Sequence, residues 1–375
     1  MKDGRKYKYD WLIVGSGIFG ATFAYYATLA KKSVFVIDRR SHEGGNVYCD
    51  EFNGVTVHKY GPHIFHTDNK KVWEFVNRRL ALDRVPYSPI AITESGKVLP
   101  LPFNMYTFTA LWDDVSTPEQ AKARLAEQTR RWAGITPNNL EEKALSLVGP
   151  DIYEAMIKGY TEKQWGRKCT ELPPEIIERV PFRFTYDNCY YNDRYVGIPP
   201  KGYNPLIETL LAKSEVELEV DYLQERQILS ELAENILFTG CIDEFFDYKL
   251  GRLEYRSLNL DMKIRDLNET QGCAVTNHTG HDVPYTRVIE HNALSPKRYY
   301  EELVITREYP AAFTEGVEPY YPVIDAKNLA LYDAYRELSK TQPNVHFGGR
   351  LGLFQYLDMD DAIEKAQEMA AELIR

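Results

Sequence analysis

The sequence has little cysteine, no excess of positive charge and no long apolar segment. Its 375 residues include five cysteines, which are widely spaced and form no C-x-x-C pair. Scattered cysteines of this kind are typical of reduced thiols, and they indicate neither a disulfide framework nor a cysteine-based metal site. No run of about 18 apolar residues occurs, so we expect no membrane-spanning helix.

Acidic residues outnumber basic ones by 55 to 45, which gives a formal net charge of −10. This balance argues against a nucleic-acid-binding protein and against a protein that binds an anionic membrane surface. No apolar signal segment precedes the first predicted strand, so we expect a cytoplasmic protein. The length predicts two to three domains.

The first informative pattern is a complete βαβ unit between Tyr9 and Asp38. The run WLIV predicts a strand, GSGIFG a tight turn, the following segment a helix, and VFVI a second strand. In such a unit Gly15 permits the turn, Gly17 lets a pyrophosphate approach the backbone, and Gly20 lets the helix pack on the strand. Asp38 is placed to accept a hydrogen bond from a ribose hydroxyl, which favours NAD or FAD over NADP.

The residues after Asp38 help to choose between these cofactors. Arg39 follows the acid directly, and the glycine pair Gly44-Gly45 precedes Asn46. An arginine and a glycine pair at this place resemble FAD-binding proteins of the glutathione-reductase and amine-oxidase type, so FAD becomes the expected cofactor. The alternative is that the glycine pair forms only a turn.

Two histidines, His63 and His66, lie three residues apart in the segment HKYGPHIFHT. A metal site would need a third ligand at suitable spacing, and none follows, so we expect no bound metal. Gly61 allows close approach of the backbone, and either histidine can offer a hydrogen bond. The segment is therefore interpreted as a loop beside a flavin ring.

Aromatic residues and arginines alternate in a second informative stretch, between Gly159 and Tyr191. Tyr160 and Trp165 are suited to stack on a base, and Arg179 is suited to pair with phosphate oxygens. Glycine and proline at both ends favour a mobile lid over an aromatic, anionic ligand. The alternative is that the aromatic residues are core and the arginines form a solvated face.

Four motifs together resemble one known family, and the resemblance extends from Tyr9 essentially to the C-terminus. These motifs, GYTEKQWG, ELPPEIIERVPFRFTYDN, HKYGPHIFHT and FGGRLGLFQYLDMD, are similar to those of the bacterial UDP-galactopyranose mutase family. The resemblance implies an isomerase, active with reduced FAD, that interconverts UDP-galactopyranose and UDP-galactofuranose for cell-surface glycans. It further implies that flavin N5 attacks C1 of galactose and displaces UDP, with no net redox change, and that the protein is a homodimer.

The resemblance also implies roles for individual side chains. Arg179 and Arg287 are expected to hold the diphosphate, and His66 is the third catalytic candidate. The other substrate-binding candidates are Tyr160, Trp165, Tyr190, Tyr321, Tyr356 and Asp358. The cofactor-binding candidates are Gly15, Gly17, Gly20, Asp38, Arg39, Gly45, Asn46, His63, Arg350 and Tyr356.

The order of elements predicts an α/β, multidomain fold. It has a discontinuous Rossmann-like FAD-binding domain, an inserted helical domain and an antiparallel β-sheet domain. The FAD-binding domain is assigned to residues 8–78, 194–242 and 318–375. The helical domain is assigned to residues 104–182, with the lid at about 166–183, and the sheet domain to 79–103, 183–193 and 243–317.

Two other functions stay open at this point. The first is an FAD oxidoreductase of the amine-oxidase type, which would consume an electron acceptor. The second is a non-catalytic binding protein similar to the GDP-dissociation inhibitors of small GTPases. The lid and the paired arginines favour a nucleotide sugar over an amine, and the intact GSGIFG and GGRLG motifs favour a retained cofactor.

Overall fold

The computed structural model describes residues 7–84, 87–177, 182–294, 300–314 and 316–374. Its strands are β1 (Tyr9–Val14), β2 (Val34–Asp38), β3 (Cys49–Phe52), β4 (Val55–His58), β5 (Phe65–Thr67), β6 (Ile90–Ile92), β7 (Val98–Pro100), β8 (Tyr195–Gly197), β9 (Glu215–Leu218), β10 (Ala233–Phe238), β11 (Tyr255–Arg265), β12 (Val275–His278), β13 (Arg287–Glu290), β14 (Leu303–Ala312), β15 (Tyr321–Pro322) and β16 (Val345–Phe347).

Its α-helices are α1 (Ile18–Leu29), α2 (Lys70–Asn77), α3 (Met105–Leu111), α4 (Pro118–Thr129), α5 (Leu140–Ile152), α6 (Gly159–Trp165), α7 (Asn204–Leu211), α8 (Arg226–Leu229), α9 (Ile242–Phe245), α10 (His291–Leu294), α11 (Ala326–Ser339), α12 (Gly349–Gly352) and α13 (Met359–Leu373).

A five-stranded parallel sheet forms the first half of the fold, with strand order β16-β10-β1-β2-β9. The central strand β1 sends alternate side chains to opposite faces. Trp11 and Ile13 join the core under α1, α7 and α13, whereas Leu12 joins a second core on the other face. A parallel sheet is covered on both faces, which explains why its strands appear in the sequence as continuous apolar runs.

The sheet is assembled from three separated segments of the chain. Strands β1 and β2 come from the N-terminal unit, β9 and β10 from residues 215–238, and β16 from residues 345–347. Helix α13 returns the end of the chain to α1, where Ile363 and Ala366 pack in the same core as Phe23. The fold is a mixed α/β architecture with a Rossmann-like domain, and the predicted fold class is confirmed.

A seven-stranded sheet, in the order β15-β11-β14-β13-β12-β6-β7, forms the second half. Its pairs are antiparallel, as predicted, except that β6 and β12 run parallel, with Ala91 opposite Asn277. The hairpin of β6 and β7 comes from a distant part of the chain and adds to the edge of the sheet. Because no tight turn joins it to β12, its direction is not constrained to be antiparallel.

Short helices between residues 105 and 165 pack on this hairpin. Two of them begin at side-chain caps: Thr117 accepts from the backbone N–H of Gln120 at α4, and Asn139 caps α5. Gly149, at φ 74°, kinks α5 immediately before Pro150. The apolar faces of these helices share a core with the β6–β7 hairpin, so helices and sheet are packed together.

The predicted domain boundaries stay a prediction. Among the residues that the structure describes, no helix is long and apolar enough to cross a membrane.

The buried β1 strand gives a direct test of the fold. Leu12 is fully buried in the central strand, so Leu12→Ala should destabilise the protein by about 2–5 kcal/mol through lost burial and a cavity. Leu29→Ala, at a side chain that is 51% exposed at the end of α1, is the matched control and should change stability by less than about 0.5 kcal/mol. Urea unfolding of both variants measures the difference, and equal losses would contradict the assigned core.

Candidate active site

The loop between β1 and α1 is packed too closely for side chains. A Cβ on Gly15, which has φ +105°, would lie 2.0 Å from Thr239 Oγ1. A Cβ on Gly20 would lie 2.1 Å from the Gly15 carbonyl oxygen. These glycines let α1 begin directly beside the strand ends, with Gly17 at its N-cap and no side-chain cap. The N–H groups of the first helical turn are therefore available to an anion.

The second glycine pair lies against the first loop. The Gly44 N–H donates to the Ser16 carbonyl oxygen over 3.2 Å, and a Cβ on Gly45 would lie 2.9 Å from Gly17 Cα. Gly45 and Asn46 line the same cleft as Gly17. The pair therefore does more than form a turn, because it builds the opposite wall of the loop cleft.

Asp38 is buried at the end of β2 and holds the first loop in place. Its Oδ2 accepts from the Ser16 N–H at 2.8 Å and from Ser16 Oγ at 2.7 Å, and its Oδ1 accepts from the Arg40 N–H at 3.0 Å. These donors compensate the buried carboxylate charge. Asp38, the predicted partner of a ribose hydroxyl, also lines the cleft.

Two consecutive arginines share one carboxylate in this cleft. Glu318 Oε2 accepts from Arg39 Nη2 at 2.8 Å and from Arg40 Nη2 at 2.9 Å. Burial would raise the pKa of Glu318, but the Arg40 and Arg39 charges together hold it below its ordinary value. Arg40, which the sequence analysis missed, also donates to Asn46 Oδ1 at 3.0 Å. Its Nη1 is buried and has no hydrogen-bond partner among the described residues.

Three open clefts, of about 800, 800 and 730 Å³, join into one groove. Gly17 and Asn46 line both the first and the second cleft, and Asn46 and Arg350 line both the second and the third. The three clefts therefore adjoin one another, and together they form the groove between Asp38 and Arg287. Predicted residues along it are, in the first cleft, Gly15, Gly17, Asp38, Arg39, Gly45 and Asn46; in the second, Gly20, His63 and Arg350; and in the third, His66, Arg287, Tyr321, Tyr356 and Asp358.

Arg350, on α12, connects the middle of the groove to its far end. It donates to the Tyr320 carbonyl oxygen at 3.2 Å and to the Leu357 carbonyl oxygen at 2.6 Å. The Tyr321 and Tyr356 rings stack with centroids 5.7 Å apart, and the guanidinium carbon of Arg350 lies 5.1 Å from the Tyr356 centroid. Arg350 therefore fixes two tyrosine rings beside the third cleft.

The two predicted histidines differ in environment. Burial lowers the pKa of His63 to about 4, and its Nδ1 lies 2.8 Å from the Gly61 carbonyl oxygen. A neutral ring with this contact carries its proton on Nδ1 and leaves Nε2 as an acceptor. His66 instead stacks on Tyr191, with centroids 3.9 Å apart, and its Nε2 lies 3.9 Å from Asp358 Oδ2.

Arg287 lies on β13 and is paired with a fully buried carboxylate. Its Nε lies 2.5 Å from Glu308 Oε2, and its Nη2 donates to Glu308 Oε1 at 2.9 Å. Tyr160 and Tyr190 lie within electrostatic range of this guanidinium. Burial raises the pKa of Tyr160 to about 12, although the Arg287 charge opposes the rise, so the phenol stays neutral at physiological pH.

The structure does not bring every predicted residue to the groove. Trp165 lines a separate cavity of about 1210 Å³ together with Gly166 and Arg256, and this cavity shares no lining residue with the three clefts. Arg179 lies outside the described residues. The substrate-binding roles of Trp165 and Arg179 stay predictions.

Comparison with known proteins identifies the family. A model described as UDP-galactopyranose mutase matches residues 155–356, which is more than half of the chain. The chain belongs to the UDP-galactopyranose mutase family. A second model, of an NAD(P)-binding Rossmann-like domain, matches residues 13–79, where the glycine loop and Asp38 lie.

Relatives of this UDP-galactopyranose mutase family member cover nearly its whole length. A probable UDP-galactopyranose mutase of Klebsiella pneumoniae is 39% identical over 97% of this chain and 94% of its own. A dTDP-fucopyranose mutase of Escherichia coli is 37% identical over 97% of this chain and 98% of its own. These two relatives are therefore named after different nucleotide sugars.

Solved structures agree on the fold. A crystal structure of reduced UDP-galactopyranose mutase superposes with a TM-score of 0.73, 13% identity and coverage of 98% of this chain and 95% of that one. A putrescine oxidase variant superposes with a TM-score of 0.55, 11% identity and coverage of 98% and 99%. At these identities the likeness shows a shared fold alone.

No group of three or more His, Cys, Asp or Glu side chains in the described parts of the chain is arranged to hold a metal ion.

The Arg287–Glu308 pair makes a stability prediction. Glu308→Gln leaves Arg287 without its counter-charge, and the side chains of Arg287 and Glu308 are only 23% and 0% exposed. We expect a loss of about 3 kcal/mol, at the lower end of the range for broken buried pairs because Arg287 keeps some contact with solvent. Glu337→Gln, in a surface pair with Lys340, is the control and should have little effect. Thermal unfolding of both variants checks the expectation, and an unchanged Glu308→Gln protein would contradict it.

Proposed function

We propose that this chain is an FAD-dependent isomerase that interconverts UDP-galactopyranose and UDP-galactofuranose. The observation that carries the proposal is the series of adjoining clefts, which has a dinucleotide loop at one end and Arg287 with several tyrosines at the other. The two ends suit a dinucleotide and a second, anionic ligand. Membership of the UDP-galactopyranose mutase family supports this choice of reaction.

The residues along the groove fit FAD. Gly17 and Gly45 leave the backbone bare, the N-terminus of α1 faces the first cleft, and Arg40 offers an unpartnered, buried Nη1. These groups together suit a pyrophosphate. The extension of the groove to His63 and Tyr356 favours a flavin ring over a nicotinamide dinucleotide. Reduced FAD, when bound, would supply a nucleophilic ring nitrogen.

Arg287 is the group best placed to hold the diphosphate of the substrate. Glu308 contacts two of its nitrogens, Nε and Nη2, and so fixes the guanidinium. A preoriented cation stabilises charge as it develops on the leaving UDP, without reorganisation during the reaction. It also keeps the released UDP in place for its return to the sugar. Arg179 is proposed as the second arm of this clamp.

The His66–Asp358 pair is proposed to move the proton when the sugar ring opens and recloses. Asp358 lies at the N-cap of α13, and burial raises its pKa while the His66 and Arg350 charges oppose the rise. Both side chains line the third cleft, so a sugar hydroxyl bound there could exchange a proton with either of them.

A second candidate substrate is dTDP-fucopyranose, because the Escherichia coli relative carries that name and matches over nearly the whole of both chains. The homodimer expected from the family resemblance stays a prediction.

One test of the proposed function is the need for reduced flavin. Purified protein is incubated with UDP-galactofuranose or dTDP-fucofuranose, with and without dithionite, and the nucleotide sugars are resolved by chromatography. We expect conversion of UDP-galactofuranose only with dithionite, because the oxidised ring has no nucleophilic nitrogen to offer. Conversion of the dTDP sugar alone would select the second substrate, and full activity without reductant would contradict the proposed chemistry.

A separate test concerns the proposed clamp of Arg287 and Arg179 on the diphosphate. Arg287→Ala or Arg179→Ala should lower kcat by a factor of about 100 or more, because each removes charge stabilisation from the leaving diphosphate. FAD content should stay normal in Arg287→Ala, since Arg287 does not line the first or the second cleft. Arg336→Ala, on the exposed face of α11, is the control and should behave as the unmodified protein. Near-normal turnover in either clamp variant would refute its role.

A further inference from the structure

Three histidines form a cluster at the wall of the groove, of which His58 and His291 are buried and His63 is partly buried. His58 ends β4, His291 begins α10, and His63 lies in the intervening wall of the groove. The His58 ring centroid is 6.5 Å from that of His63 and 6.4 Å from that of His291. Burial lowers the pKa of all three, so the cluster is neutral at physiological pH.

The hydrogen bonds assign a proton to each ring. The backbone N–H of His58 donates to His291 Nδ1 at 3.3 Å, so His291 carries its proton on Nε2 and donates it to Thr306 Oγ1 at 2.8 Å. The backbone N–H of His63 donates to His58 Nδ1 at 3.2 Å, so His58 carries its proton on Nε2. The donors therefore run in one direction, from the His63 N–H to the His58 ring, from the His58 N–H to the His291 ring, and from His291 Nε2 to Thr306 Oγ1.

The peptide groups of His63 are held on both sides. Its N–H is bound by His58, and its carbonyl oxygen accepts from the Tyr203 hydroxyl at 3.0 Å. Its ring is bound back to the Gly61 carbonyl oxygen, as described above. Tyr203 is fully buried and comes from the start of α7, a different part of the chain from His58. The loop from Gly61 to His63 is thus fixed by two independent elements.

His58 is held there at a cost. Its Nε2–H is buried and has no hydrogen-bond partner among the described residues. A buried donor without a partner destabilises a fold, and an apolar ring would fill the same space without that cost. The hydrogen bond that His58 Nδ1 accepts from the His63 N–H offsets this cost, and no other group uses that acceptor among the described residues.

We propose that His58, aligned by His291 and Thr306, acts with Tyr203 as a positioning pair that fixes the Gly61–His63 loop against the flavin and thereby sets its reduction potential. His63 lines both the second and the third cleft, and Gly61 and Pro62 line the third, so the position of this loop shapes the wall beside the proposed flavin site. Hydrogen-bonding groups beside a flavin ring change the relative stability of its oxidised and reduced forms. The inference rests on the proposed flavin site, but it does not depend on mutase turnover.

The test is a spectroscopic redox titration of the FAD-loaded protein. His58→Leu should change the ratio of reduced to oxidised flavin affinity about tenfold, which corresponds to a shift of about 30 mV for a two-electron couple. His58→Asn should restore the original potential, because its Oδ1 can replace Nδ1 as the acceptor. Tyr203→Phe and Thr306→Val each remove one hydroxyl from the groups that hold the loop. Each should shift the potential in the same direction as His58→Leu, by a smaller amount.

Thr276→Val is the control. Thr276 is buried in the same seven-stranded sheet as Thr306, but it takes no part in the hydrogen bonds that lead from His63 to Thr306. An unchanged potential in His58→Leu, or the same shift in the Leu and Asn variants, would overturn the proposal. If His58→Leu fails to fold or to retain FAD, unchanged potentials in both Tyr203→Phe and Thr306→Val would overturn it equally. A shift in potential in a protein that converts neither sugar would support this inference while rejecting the proposed function.

Discussion

The structure depends on close contacts that only glycine permits. Gly15 packs on Thr239 and Gly45 on Gly17, and a Cβ on Gly348 would lie 2.4 Å from the Phe19 ring. These contacts bring the ends of β1, β10 and β16 and the loop after β2 to one place. With side chains at these positions, the first helix would be pushed away from the strands and the groove would have no continuous floor.

The protein is acidic overall, yet arginines line its groove, and three of them are held by glutamates, Glu318 partly buried and Glu308 fully buried. Glu318 holds Arg39 and Arg40, and Glu308 holds Arg287. A guanidinium fixed by a carboxylate loses little freedom when a phosphate arrives, so its donors are ready in place. Such pairs add little to stability, because desolvation offsets their attraction. Their value lies in orientation.

Sequence patterns predicted local features well and long-range pairs poorly. The unit from Tyr9 to Asp38 was predictable because strand, turn and helix each have a local periodicity. The Arg40–Glu318 and Arg287–Glu308 pairs were not, since neither partner has a local feature that indicates the other. The parallel pairing of β6 with β12 also escaped prediction. Trp165 is an aromatic residue of the kind that stacks on ligands, but it lines a different cavity.

The three-segment origin of the parallel sheet has a consequence for folding. Strand β16, which comes near the end of the chain, pairs with β10, and α13 then covers the first helix. Contacts between such distant segments close large loops and slow the search for the native topology. During synthesis the N-terminal βαβ unit cannot complete its packing until β16 and α13 have left the ribosome. Until then the part of α1 that packs on α13 stays uncovered, so this apolar surface of the nascent chain is open to chaperones.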